Sequence, residues 1–126
     1  MHVVTGCGWL AMLLAASVAC AEQSPYQDSD FTTVEKIDAH VHLHGMLPTF
    51  MSRAAADNVR LLTINVNYSD FPPLPEQHRD ALALRVAYPD RVAFATTFDA
   101  AGSDQPGWEQ GVKRQLTDAL DAGAVA

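Results

Sequence analysis

Val59-Arg60-Leu61-Leu62-Thr63-Ile64-Asn65-Val66 is apolar at both odd and even positions and rich in β-branched side chains. A strand alternates its side chains between two faces, so this stretch predicts a strand covered on both sides, as in a parallel sheet. Downstream, Pro75 to Tyr88 carries Ala81, Leu82, Leu84, Val86 and Ala87 at helical spacing and is stopped by Pro89, which cannot extend the hydrogen-bond ladder. Arg91 to Phe98 (RVAFATTF) repeats the buried-strand pattern. Ser103 or Asp104 offers a helix cap with Pro106 in the first turn, and Val112, Leu116, Ala119 and Leu120 then form one face. Gly123 is a candidate C-cap, and Ala124-Val125-Ala126 reads as the opening of a fourth strand. Upstream, Val34 to Ala39 is a short run and Pro48 to Asp57 suits a helix. Strand starts near 34, 59, 91 and 124, with helices between them, predict βα units and a parallel α/β fold.

Composition sets the outer bounds. The chain has 126 residues, enough for about one domain, and 48% are hydrophobic, too many for a disordered chain. A formal net charge of −7 without a basic cluster argues against nucleic acid, whose phosphates need concentrated Lys and Arg. Cys7 and Cys20 have no zinc-site spacing and make no disulfide framework.

Every Asp, Glu, Lys and Arg lies after Ala21, and Trp9 to Ala21 is almost wholly apolar. That stretch is shorter than the roughly 18 residues that suggest a membrane-spanning helix, and it ends in Ala19-Cys20-Ala21, an A-x-A cleavage pattern. Residues 1–21 therefore read as a signal peptide and the protein as exported, to the periplasm or the extracellular space. Ser17-Val18-Ala19-Cys20 offers a second reading, a lipobox in which Cys20 is lipidated. A lipid there would be the chain's sole link to a membrane. Residues 22–33 read as a polar tether.

The chemistry concentrates in Lys36-Ile37-Asp38-Ala39-His40-Val41-His42-Leu43-His44-Gly45. Strand alternation sends His40 and His42 to one face about 7 Å apart along the backbone, where two imidazoles can converge on one divalent cation. Asp38 shares their parity and suits a partner that orients an imidazole N–H. His44 shares it too, although Gly45 predicts a turn that ends the alternation. Asn65 and Asn67 follow the second strand on the same side and are further substrate-side candidates. Asp70, Thr97 and Asp99 occupy comparable loop positions, and His78 falls on the polar face of a helix beside Glu76 and Arg79.

H-x-H alone is common. D-x-H-x-H at the end of the first apolar strand, followed by glycine, resembles the amidohydrolase superfamily of metal-dependent hydrolases, particularly its amidohydrolase-related branch. Tyr88-Pro89-Asp90-Arg91-Val92-Ala93-Phe94-Ala95-Thr96 resembles the same branch. TatD-type nucleases and PHP-domain phosphoesterases also open with H-x-H after a strand, but the acidic balance and the Gly45 context favour amidohydrolases.

The resemblance implies a (β/α)₈ barrel, of which residues 34–126 would supply the first three βα units of an N-terminal portion. By motif match, His40 and His42 take the metal-ligand role, for one or two ions, zinc foremost. The remaining family ligands belong to later strands, and the general base, an Asp, would lie beyond residue 126, leaving this chain alone inactive. The substrates implied are small molecules with amide, cyclic amide, ester or related C–N bonds; some relatives decarboxylate instead. A different class of reading is a non-catalytic secreted or lipid-anchored α/β domain whose histidine cluster captures metal or a partner.

Overall fold

The computed structural model describes residues 25–126. The readings of residues 1–21 as a leader and of Cys20 as a lipidation site lie outside the described residues. Within them the elements are β1 (Lys36–Val41), α1 (Pro48–Ala56), β2 (Val59–Ile64), α2 (Leu74–Ala87), β3 (Val92–Ala95) and α3 (Trp108–Asp121), preceded by one 3-10 turn at Asp28–Asp30. The three strands form one parallel sheet in the order β1-β2-β3.

The barrel expectation is overturned. The structure is a small open α/β sheet of three parallel strands with three helices. Barrel closure needs every strand hydrogen-bonded on both sides, which a (β/α)₈ fold reaches with eight tilted strands. Among the described residues β1 has a sheet partner on one side alone.

The two faces of this sheet differ. Leu61 pairs with Val92 and Thr63 with Phe94, so these four side chains share a face. All four are at most 3% exposed. Met51 and Ala54 of α1, Leu84 of α2 and Leu43 join Leu61 and Val92 in one cluster. Ala81 of α2, Ala119 of α3 and Ala124 join Phe94 in a second. All three helices thus pack on one side, which right-handed crossovers between successive neighbouring strands require of α1 and α2. The even residues Leu62 and Ile64 and the odd residues Ala93 and Ala95 turn to the other side and are half-buried. The apolar pattern at both parities predicted two covered faces, and the helices cover one.

Several boundaries shift from the sequence expectation. Helix α3 begins at Trp108, beyond Ser103, Asp104 and Pro106, and its cap is Gly107 at φ 87°, without a side-chain cap. The C-terminal end follows the expectation. Gly123 at φ 98° sits one residue past the cap, its N–H donating to Leu120 O (2.9 Å) and that of Ala124 to Ala119 O (2.9 Å). These two bonds complete a Schellman motif, and a Cβ at position 123 would land on the Arg85 guanidinium. Ala124 to Ala126 do not form a fourth strand. Val125 N–H donates to Phe94 O (2.9 Å) and Thr96 N–H to Ala126 O (2.8 Å), which lays the segment beside β3 without a regular ladder. Residues 22–24 of the expected tether lie outside the described residues; residues 25–33 are largely exposed but tied down, since Asn58 Nδ2 donates to Thr33 O (2.9 Å) and Lys36 Nζ to Phe31 O.

Candidate metal centre

His40 and His42 emerge on the face without helices, and a register shift decides which residues accompany them. Asp38 pairs with Leu61 and Val41 with Thr63, so three steps along β1 match two along β2. The extra residue is a bulge at Ala39-His40. It leaves Asp38 in register with the helix-side residue Leu61, while His40 lies opposite Leu62 and His42 continues towards Ile64. The common parity of Asp38 with the histidines therefore does not survive folding. Its Oδ1 accepts the backbone N–H of His40 (3.1 Å) instead of an imidazole hydrogen.

The role expected of that carboxylate falls to a backbone carbonyl. His42 Nδ1 lies 2.8 Å from Ile64 O. A carbonyl oxygen can only accept, so Nδ1 carries the hydrogen, and in the neutral ring Nε2 is the nitrogen left for a metal. The His40 ring stands edge-on to that of His42, with centroids 5.2 Å apart and planes at 83°. Two imidazoles sharing one tetrahedral zinc at about 2.0–2.1 Å per bond would have centroids about 5 Å apart. The pair's spacing suits that arrangement. Among the described residues no group of three His, Cys, Asp or Glu side chains is placed to share an ion.

The remaining candidates scatter. His44 packs edge-on against Phe71, centroids 5.8 Å apart, with both ring nitrogens buried and unpartnered. Asn65 is 3% exposed and continues the alternation of Leu61 and Thr63, on the opposite face from His40 and His42. Its N–H donates to Ala95 O (3.0 Å), and its Nδ2 is buried without a partner. Asn67 donates from Nδ2 to Asp99 Oδ1 (2.8 Å). Both line a cavity of about 690 Å³ between α2 and α3, together with His78, Arg114 and Asp118. His40, His42 and His44 do not border it. His78 is half-buried, not solvent-facing, and its ring meets Phe94 edge-on at 5.6 Å.

One residue beside the histidines, and one that holds its loop, carry weight that the residue pattern did not show. Phe71, from the β2–α2 loop, packs its ring 4.9 Å from that of His42 at 60°. Gln77, 2% exposed, accepts Val66 N–H at Oε1 (2.9 Å) and donates from Nε2 to Val66 O (2.8 Å) and Pro72 O (2.5 Å). A signal for Gln77 existed. It stands four and seven residues before Ala81 and Leu84, on the apolar stripe of α2, where a polar side chain must find partners. Phe71 had none, because its role depends on a loop path.

No protein-family model, curated protein or solved structure matches this chain.

Proposed function

We propose that the protein binds a divalent metal ion, zinc foremost, through His40 and His42, and belongs to the metal-dependent hydrolases of amidohydrolase type. The observation that carries this reading is the His42 ring, locked through Nδ1 to Ile64 O at 2.8 Å and leaving Nε2 free beside His40. A divalent ion held there would supply a water of lowered pKa and polarise a substrate carbonyl, the chemistry by which amides, cyclic amides and esters are hydrolysed.

The chain's own part is positional. Ile64 O fixes the tautomer of His42, and the Asp38 carboxylate holds the backbone at His40 by accepting its N–H. His40 and His42 would hold a zinc ion through two imidazole nitrogens and would leave room on it for water or substrate. Export through residues 1–21 belongs to the same proposal.

Isothermal titration of the chain with zinc, repeated for His40→Ala and His42→Ala, tests the binding. Zinc binding in the parent and its loss in both variants support the reading, and equal binding in all three refutes it. Zinc-dependent hydrolysis of an amide or ester by the chain would show that it is an enzyme and not a domain that only captures metal.

A further inference from the structure

We infer that Phe71 is a positioning residue for the histidine pair and that Gln77 holds it in place; the inference rests on the metal-binding reading above. The His42 ring is bounded on three sides. Ile64 O takes its Nδ1–H, the His40 ring meets it edge-on, and the Phe71 ring closes the third side at 4.9 Å. The second torsion of a histidine is broad and roughly two-fold, so a ring without such walls can turn over. Turning over would exchange Nδ1 with Cδ2 and Nε2 with Cε1, so the bond to Ile64 O and its hold on the tautomer are lost and Nε2 leaves its place beside His40. The Phe71 ring obstructs that rotation, and it also covers the unpartnered ring of His44.

Phe71 is in turn fixed by its loop. Its N–H donates to Tyr68 O (3.1 Å), and Pro72 and Pro73 follow it, each with a restricted φ. Gln77 then clamps both ends of the segment, binding Val66 through its N–H and its carbonyl and Pro72 through its carbonyl. The bonds reach from the first turns of α2, so the helix that builds the core on one face orients a ring on the other.

Nitrogen-15 NMR of the histidine rings in the metal-free 126-residue chain tests this without turnover. The parent should show His42 as a single Nδ1–H tautomer. Phe71→Ala should mix the two tautomers and, as is usual for groups that orient a ligand, weaken zinc binding by about 10- to 100-fold. Phe71→Tyr, which keeps the ring, should restore both signals. Gln77→Ala should reproduce the tautomer mixing, and Phe71→Leu gives the same comparison should the alanine variants not fold. A His42 tautomer and zinc affinity unchanged in Phe71→Ala, or unchanged in folded Phe71→Leu, overturn the inference. A parent that binds no zinc removes the metal-binding reading, while the tautomer comparison still judges Phe71.

Discussion

The two faces of the sheet are built from similar residues and do different things. On one, Leu61, Thr63, Val92 and Phe94 are sealed under three helices and are at most 3% exposed. On the other, Leu62, Ile64, Ala93 and Ala95 stay half-buried, and the chain spends that accessibility on His40 and His42. Burial favours apolar side chains and penalises an unpaired imidazole, so a ligand pair is tenable on the open face and costly on the covered one. Stability should therefore reside on the helix side and metal binding on the other.

Substitutions can break or sharpen that division. Phe94→Ala, which empties a fully buried site between α2 and α3, should lower unfolding free energy by about 3–5 kcal/mol in urea melts. An effect below about 1 kcal/mol would show that the covered face is not the core. Gln77→Ala strips the partners from Val66 and Pro72 and should destabilise by about 2 kcal/mol, read in the same melts. Gly123→Ala should cost about 1–2 kcal/mol, from the positive φ alone, with the clash against Arg85 adding to it. Ile37→Ser, at a side chain 67% exposed on the open face, should change stability by no more than about 0.5 kcal/mol. A large loss there would erase the contrast.

Much of the fold could be read from residue pattern. β2 was expected over 59–66 and ends at Ile64; α2 was expected over 75–88 and spans Leu74–Ala87. α2 is a long periodic segment with proline at both ends and β2 a short apolar, β-branched run, and in both local preference and burial agree. The barrel was an inference from a motif, and a motif near one strand end fixes neither strand number nor sheet closure. One-sided helix coverage escaped the pattern because apolar residues at both parities describe a strand's character and not its neighbours.

The candidate site was legible in part. Placing His40 and His42 on one face follows from alternation over two residues, and the rings stand 5.2 Å apart. The placement of Asp38 failed at a bulge, which inserts one residue and swaps faces without any mark in the sequence. Ile64 contributes a backbone oxygen, a group that every residue has and that composition cannot single out. Asn65 and Asn67, two residues apart, were both expected on the substrate side. Asn65 is buried under the helices while Asn67 is exposed and pairs with Asp99 across the loops.

X-ray absorption of the zinc-loaded chain bears most directly on the claim that the open face grips a metal through two imidazoles. Two imidazole nitrogens should lie about 2.0–2.1 Å from zinc, both lost in the His40→Ala/His42→Ala double variant. Zinc bound with no imidazole scattering, or bound unchanged by the double variant, would contradict it.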